Sequence, residues 1–412
     1  MYEGQGIAMQ LDERASRYGV TFLDDTTDET YFTGMRGVHA LLDAFTTDGW
    51  FEPAGPEDET GTDFAGMKSA PEPVVAENGG KLHYVHIRAK NPSPETPAMV
   101  MLTGFTEMAE HMREMAYYFW QAGYSIYILE HRGHGRSPRD VEDLGLIWID
   151  DFRRYVADAE KLIRTVVRPA STDVSAGATS APVHVYAHSM GGGVALALAE
   201  HLAEHLAEHA AEHAAEHAPA PLVDKYVLTA PMVAPRSTLS DGLTRLIANL
   251  GAFFASKKRI FIQKNQTEFN RVFDENYARG LNHGRALWLH EQRCAVETHQ
   301  MYAASYGWMK AAGKLTEYIL QNSEKITAPV LLFQAPNDAW VSVEKQNELA
   351  ERAGAPVRKV VLEHSRHEME AEQTQAVHEM MDTALEFLLG VRESGVRESD
   401  GREPGSRESS AV

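Results

Sequence analysis

The stretch Val183-His-Val-Tyr-Ala-His-Ser-Met-Gly-Gly-Gly193 decides how the rest of this chain is interpreted. An apolar strand pattern runs directly into Ser189, and a helical pattern follows at once. Ala187 and Gly191, two residues to either side, are small enough for the strand and the helix to approach closely. The pattern predicts a sharp turn that lifts the serine hydroxyl above a sheet edge, over the positive end of a helix. The plainer alternative is a serine that only caps the helix.

Strand and helix patterns alternate on both sides of this turn. Runs that are apolar throughout, such as Ala98 to Leu102, are typical of parallel strands with both faces covered. We therefore predict an α/β fold with a mostly parallel, doubly wound sheet. Strands are predicted at 98–102, 124–129, 183–187, 223–230, 330–334 and 357–362, and helices at 108–122, 148–167, 191–217 and 373–389.

Other segments depart from this alternation. Almost a hundred residues after the fourth of these strands show helical patterns only, which predicts a cap over the sheet edge. Two β-rich runs around Asn78-Gly-Gly80 predict a hairpin from Pro73 to Ala89. The predicted division is an N-terminal, partly irregular extension at 1–70, the core at 71–231 and 326–390, a helical cap at 232–325 and a disordered tail at 391–412.

A serine hydroxyl is a weak nucleophile without a base and an acid that orients the base. Asp338 follows the predicted strand at 330–334, and we prefer it to the neutral Asn337, although it could simply cap the next helix. His364 and His367 both follow the strand at 357–362. We prefer His367, because it lies further into the loop that must reach back over the sheet edge.

An oxyanion hole needs two backbone N–H donors. The first expected donor is Met190, which follows the candidate nucleophile. The second lies in the turn after the strand at 98–102, where Gly104 permits the turn and Phe105 supplies the N–H. Histidine is common at the position of Thr103, so this part of the pattern is less regular.

These motifs together resemble the monoacylglycerol lipase and bacterial lysophospholipase group, the serine aminopeptidase-like hydrolases. The resemblance rests on Thr103-Gly-Phe-Thr-Glu107, His131-Arg-Gly-His-Gly-Arg-Ser137, Ala187-His-Ser-Met-Gly-Gly192 and Ser365-Arg-His-Glu368, and it covers roughly residues 72–390. It implies the α/β-hydrolase fold, with Ser189, Asp338 and His367 as the catalytic triad and Phe105 and Met190 as oxyanion donors. Glu130 stands where the group usually has Asp, in a turn that we expect to be structural.

A four-residue Glu-His-Leu/Ala-Ala unit repeats from Glu200 to His217 and contains a match to an inverted zinc-protease motif. A four-residue period drifts by about 40° per repeat on an α-helix, so the histidines wind around the helix instead of forming one site. We therefore interpret the repeat as an extension of the helix after Ser189. No metal and no cofactor are predicted.

The chain of 412 residues is 43% hydrophobic and carries a formal charge of −20. That charge argues against nucleic acid and anionic membranes as partners. A single cysteine, Cys294, no signal-peptide pattern and no long apolar run favour a cytoplasmic protein without a membrane span. Oligomeric state is not predicted, and transient contact with lipid is compatible with the pattern.

The sequence thus predicts a serine hydrolase that cleaves carboxylic esters through an acyl-enzyme, with a lysophospholipid or monoacylglycerol-like lipid ester as the favoured substrate. The alternatives are a small-molecule esterase, amidase or aminopeptidase-like hydrolase, and a non-catalytic binding protein of the same fold. Apolar residues of the cap are expected to form the acyl pocket. They are Phe253, Phe254, Ile260, Phe261, Trp288, Tyr302, Tyr306 and Trp308.

Overall fold

A computed structural model describes residues 16–55, 67–168, 181–212, 220–237, 239–260 and 268–390. The predicted tail, the predicted loop around residues 169–180, the end of the Glu-His repeat and Phe261 lie outside these residues. Among the described residues, no helix is both long and apolar enough to cross a membrane.

An eight-stranded sheet forms the centre of the molecule. In chain order its strands are β1 (Thr46–Phe51), β2 (Leu82–Ile87), β3 (Ala98–Leu102), β4 (Ser125–Leu129), β6 (Val183–His188), β7 (Lys225–Thr229), β9 (Val330–Gln334) and β10 (Val357–Val361). Their spatial order is β1-β2-β4-β3-β6-β7-β9-β10. The first two pairings, β1 with β2 and β2 with β4, are antiparallel and the others are parallel. A separate two-stranded sheet pairs β5 (Leu146–Ile147) with β8 (Ala303–Ala304).

Within the described ranges, ten α-helices connect and cover these strands. They are α1 (Asp28–Leu42), α2 (Arg113–Gln121), α3 (Arg153–Leu162), α4 (Ser189–Glu212), α5 (Asp241–Ala255), α6 (Glu275–Ala278), α7 (His283–Ala295), α8 (Tyr306–Asn322), α9 (Val343–Ala353) and α10 (Thr374–Leu389). Short 3-10 turns occur at Asn78–Gly80, Ala109–Met112, Glu297–His299, Ser323–Lys325 and Met369–Ala371, and a π-helical turn at Ile163–Val167.

The two faces of the sheet carry separate apolar cores. In β3 every residue is buried, and alternate side chains point to opposite faces, with Val100 in one core and Met101 in the other. Helices α3, α4, α8 and α9 cover the first face, while α1, α2 and α10 cover the second. This two-sided burial explains why the strand patterns are apolar throughout, and it confirms the predicted α/β fold.

The predicted hairpin around Asn78 is wrong. Asn78–Gly80 is a 3-10 turn, and β2 pairs with β1, which lies in the segment predicted to be an extension. The residues before the turn include Pro71 and Pro73, which have no backbone N–H to donate to a sheet. Val75 instead forms an isolated bridge with Arg139.

The N-terminal residues before α1 also pack on the core. Tyr18, Val20 and Phe22 are buried in the apolar core beneath α2 and α10. In the part of the cap that the structure describes, four helices are present, and the short strand β8 adds one element that the helical patterns did not predict.

Candidate active site

The turn between β6 and α4 has the strained geometry that the sequence predicts. Ser189 has a φ of +49°, in the left-handed region that residues with a Cβ rarely adopt. A Cβ at Gly191 would lie 2.2 Å from the Leu102 carbonyl oxygen, so only glycine allows α4 to lie this close to β3. The Ser189 carbonyl accepts a hydrogen bond from the Met232 N–H at 2.7 Å, which helps to hold the turn.

The structure brings Ser189, His367 and Asp338 together. His367 Nε2 lies 2.9 Å from Ser189 Oγ, and His367 Nδ1 lies 2.7 Å from Asp338 Oδ2. The three residues follow β6, β10 and β9, whose carboxyl ends meet at one edge of the parallel sheet. This is the arrangement in which an imidazole links a serine hydroxyl to a buried carboxylate.

Backbone groups orient the carboxylate. Asp338 Oδ1 accepts hydrogen bonds from the N–H groups of Trp340 at 2.7 Å and Val341 at 3.0 Å, which leaves Oδ2 for the imidazole. The side chain of Asp338 is fully buried. Asn337 and His364, the alternatives from the sequence, are exposed and take no part in this arrangement.

Burial and the neighbouring charges shift the pKa values of His367 and Asp338 in opposite directions. Burial disfavours the charged form of His367, but the hydrogen bond to Asp338 and the charge of Glu368 outweigh it, so the pKa of His367 is raised. Burial likewise disfavours ionised Asp338, yet the hydrogen bond to His367 and the two backbone N–H groups hold its pKa below the ordinary value. The geometry therefore favours an ionised Asp338 beside the imidazole.

The two predicted oxyanion donors lie in the turns that end β3 and β6. Thr106 has a φ of +61°, and the Gly104 N–H donates to Glu107 Oε2 at 2.5 Å, so the turn around Phe105 is tightly held. The Phe105 ring packs on Trp308 of the cap with ring centroids 4.3 Å apart. Met190 lies in the first turn of α4, where backbone N–H groups have no acceptor within the helix.

Glu130 has a structural position. Its carboxylate accepts hydrogen bonds from the N–H groups of Ala109 at 3.0 Å and Arg136 at 2.7 Å, and it contacts His83 Nδ1 at 2.8 Å. Burial disfavours its charged form, but His83 and these N–H groups hold the pKa of Glu130 at about 2. The side chain therefore ties the turn after β4 to its neighbours, as the sequence predicts.

A cavity of about 1540 Å³ opens above Ser189 and His367 and extends under the cap. Ile260, Tyr302 and Trp308, three of the residues predicted to form the acyl pocket, line this cavity. Other predicted residues do not line it. Trp288 packs on Phe32 in an edge-to-face contact, Tyr306 packs on the edge of the apolar core, and the side chains of Phe253 and Phe254 are about 80% exposed. Helical spacing predicts an apolar face, but it does not tell whether that face points inward.

Several polar residues next to the triad were not predicted to have a role. Glu107, His188, Glu368 and Glu370 form a cluster behind the candidate nucleophile. Each is close in sequence to a predicted site residue, and this adjacency is the signal that could have identified them.

The strand–serine–helix turn, with an acid and a histidine after later strands of the same sheet, defines this protein as an α/β-hydrolase. Residues 93–374 match the family model Hydrolase_4, described as serine aminopeptidase, S33. The match covers more than half of the chain, and the protein belongs to this family.

Two relatives with curated names show how close the similarity is. Lysophospholipase L2 of Escherichia coli (strain K12) is 24% identical over 327 residues, which cover 73% of this chain and 83% of the relative. Monoacylglycerol lipase of Mycolicibacterium smegmatis is 34% identical, but over 99 residues that cover 24% of this chain and 31% of the relative. The protein is thus an α/β-hydrolase of the lysophospholipase and monoacylglycerol lipase kind.

Solved structures confirm the fold. A thermostable carboxyl esterase from Bacillus coagulans matches with a TM-score of 0.57 and 15% identity, over 84% of this chain and 98% of the esterase. A soluble variant of monoglyceride lipase from Saccharomyces cerevisiae matches with a TM-score of 0.53 and 16% identity, over 78% of this chain and 97% of the lipase.

Proposed function

We propose that this protein is a serine hydrolase that cleaves the ester of a single-chain lipid, a lysophospholipid or a monoacylglycerol, through an acyl-enzyme on Ser189. The observation that carries the proposal is the hydrogen-bonded series from Ser189 through His367 to Asp338, in which Ser189 and His367 line a large cavity. A serine with a positive φ is strained, and such strain persists where the surroundings hold it in place.

The reaction follows from this geometry in two halves. His367 Nε2 takes the proton of Ser189 Oγ as the oxygen attacks the ester carbonyl, and Asp338 holds the other ring nitrogen in its protonated form. The N–H groups of Phe105 and Met190 stabilise the negative charge on the carbonyl oxygen. His367 then gives the proton to the leaving alcohol, and the acyl group remains on the serine.

Water completes the cycle. His367 removes a proton from a water molecule, the resulting hydroxide attacks the acyl carbon, and the carboxylic acid leaves as Ser189 Oγ regains its proton. No cofactor is needed, because the triad supplies both the nucleophile and the base.

Two observations support a lipid substrate. Ligand pockets usually measure about 300–1,000 Å³, and the cavity above Ser189 is larger. The outer face of α5 is apolar and exposed, and Thr244 and Ile247 of the same helix line the cavity. The exposed residues are Leu243, Leu246, Leu250, Phe253 and Phe254. Transient contact of this face with a lipid aggregate would place the substrate beside the cavity.

A second candidate function is hydrolysis of small esters or amides, including peptides from their N-terminus. The description of the family model favours it. A cytoplasmic location is also part of the proposal, and it is supported by the single cysteine among 412 residues.

The test is a hydrolysis panel with the full-length protein and its Ser189→Ala variant. The panel contains a lysophospholipid, a monoacylglycerol, a short p-nitrophenyl ester and an amino-acid p-nitroanilide. The proposal predicts the highest kcat/KM on the lipid esters and loss of turnover in the variant. Preference for the short ester or the anilide would favour the second function, and no turnover of any substrate would favour a binding protein.

A further inference from the structure

The polar cluster behind the nucleophile joins three segments of the site. Glu107 lies in the turn after β3, His188 is the last residue of β6, and Glu368 follows His367. His188 and Glu107 are 1% and 8% exposed. One ligand atom from each of the three side chains lies within 4.8 Å of the other two. None of the three belongs to the proposed triad.

Neighbouring groups fix the orientation of the His188 ring. Its Nδ1 lies 3.1 Å from Thr229 Oγ1 and 3.3 Å from Glu370 Oε2. Glu370 is held in turn by hydroxyl groups of Tyr186 and Thr229, both at 2.8 Å from Oε1. With Nδ1 occupied in this way, Nε2 is the nitrogen that faces the cluster, and it has no hydrogen-bond partner among the described residues.

The two carboxylates are also held by neighbours. Glu107 Oε2 accepts from the Gly104 N–H at 2.5 Å, while Oε1 lies 3.5 Å from His188 Nε2. Glu368 Oε1 accepts from the Tyr277 hydroxyl at 2.6 Å. Glu107, Glu368 and Glu370 also line a small space of about 10 Å³, which His188 does not line. That volume is close to what one water molecule or ion needs.

The charges of the cluster favour an additional cation. Glu107 Oε1 and Glu370 Oε2 lie 3.5 Å and 3.3 Å from the two ring nitrogens of His188, and the Glu368 carboxylate lies beside them. Ionised carboxylates buried together are costly unless a positive charge compensates for them.

We propose that Glu107, His188 Nε2 and Glu368 bind a divalent transition-metal cation of the zinc class. Zn²⁺ accepts both imidazole nitrogen and carboxylate oxygen as ligands, whereas Mg²⁺ and Ca²⁺ prefer oxygen ligands. Neighbouring ligands of a tetrahedral zinc ion, each about 2.1 Å from the metal, lie about 3.4 Å apart. The separation of 3.5 Å between Glu107 and His188 fits this value.

Glu370 contacts the ring nitrogen of His188 that faces away from the proposed ion. A ligating histidine usually has its other ring nitrogen hydrogen-bonded to a carboxylate, which fixes the tautomer and the ring orientation. Glu370 and Thr229 occupy that position at His188 Nδ1. An ion at this point would link the turn of Phe105, the strand before Ser189 and the loop of His367.

The test needs a protein in which the Glu-His repeat does not capture metal. The background is therefore the untagged full-length chain with the substitutions His205→Ala, His209→Ala, His213→Ala and His217→Ala. His201 is kept because its ring lies 3.4 Å from the buried Glu160. Metal-free protein is titrated with Zn²⁺ in competition with a chromophoric chelator, and Co²⁺ serves as a second probe through its visible absorption.

The proposal predicts one equivalent of bound Zn²⁺, tetrahedral absorption with Co²⁺, and a higher unfolding temperature with Zn²⁺. Glu368→Gln should weaken binding by at least about tenfold, whereas the exposed Glu363→Gln should not change it. Circular dichroism checks that both variants fold. The proposal is overturned if the background protein binds no stoichiometric Zn²⁺, or if Glu368→Gln binds Zn²⁺ as tightly as Glu363→Gln does.

Discussion

Asp338 gives the most specific prediction for a single side chain. Replacement by asparagine keeps the shape of the side chain but removes the charge that fixes the His367 tautomer at 2.7 Å. We expect Asp338→Asn to lower kcat by about 10⁴-fold, with little change in KM, because the acid does not touch the substrate. Steady-state kinetics on the best ester of the panel measure this. Asn337→Ala, at the exposed neighbouring position, is the control and should remain active; equal losses in both variants would contradict the assigned role.

Glu200 is a buried carboxyl group whose protonation affects stability. Its side chain in α4 is fully buried, and neither carboxylate oxygen has a hydrogen-bond partner among the described residues. Burial therefore raises the pKa of Glu200 to about 9, against the opposing charge of Lys325. Below the unfolded-state pKa the group is neutral in both states. As pH rises above about 4.5, only the unfolded chain releases the proton, and stability is lost until about pH 9.

Glu200→Gln removes this titration. The free energy of unfolding of the variant, relative to wild type, should therefore increase from pH 4.5 to pH 8, by at most about 1.4 kcal/mol per pH unit. Urea unfolding at several pH values measures the slope. Glu204→Gln, at a half-exposed position of the same helix, should show a much smaller slope. Parallel curves for wild type and Glu200→Gln would refute the prediction.

At the residue scale, the sequence predicted those site residues that lie in or next to a recognisable motif. Ser189, Asp338 and His367 could be predicted because each follows a strand, and the carboxyl ends of parallel strands meet at one edge. Glu107 and His188 lie in the same motifs, so their nearness to the site could be predicted, but sequence order does not tell that their side chains converge behind the turn. The convergence depends on the rotation of each side chain, which only the packed structure determines.

The cap helix α5 shows what an apolar pattern leaves undetermined. Phe253 and Phe254 are about 80% exposed in a helix whose other face lines the cavity. We expect the double variant Phe253→Ser/Phe254→Ser to lose most of its activity on lysophospholipid micelles or monoacylglycerol vesicles, because the apolar contact with the aggregate is removed. Its activity on a soluble short ester should stay within about twofold of wild type, since surface substitutions change stability little.

A vesicle sedimentation assay and both rate measurements test this prediction. Leu41→Ser, at an exposed apolar position on α1, is the matched control and should behave as wild type. If the double variant binds vesicles and hydrolyses aggregated substrate as wild type does, α5 is not the lipid-contacting face.

Local patterns predicted most helices and parallel strands, because their apolar residues follow the period of the element. The antiparallel edge was mispredicted for a different reason. The Asn78-Gly-Gly80 pattern is typical of a hairpin, yet the partner of β2 is β1, which lies about 30 residues earlier in the chain. Pairing across that separation depends on tertiary packing and not on turn residues.

Arg285 connects three parts of the molecule. This cap residue is 1% exposed and forms ion pairs with Glu114 of α2 at 2.8 Å and with Asp25 of the N-terminal segment. Arg285→Met would leave two buried carboxylates without their partner. We expect a loss of about 3–5 kcal/mol in the free energy of unfolding, as measured by urea denaturation.

Arg245→Met is the control for this ion pair. Its partner Glu317 also lies in the cap, but both side chains are at least 40% exposed, so we expect a loss of about 0–1 kcal/mol. If both variants lose the same small amount, the buried ion pairs do not hold the N-terminal segment, the core and the cap together as described.

The function proposed for the whole molecule requires that Ser189 is the nucleophile of an ester hydrolase. The most direct measurement is reaction with a fluorophosphonate, followed by mass spectrometry of the intact protein and its peptides. We predict a single covalent adduct on the peptide that contains Ser189 and none in Ser189→Ala. An adduct at another residue, or equal labelling of wild type and Ser189→Ala, would contradict the account.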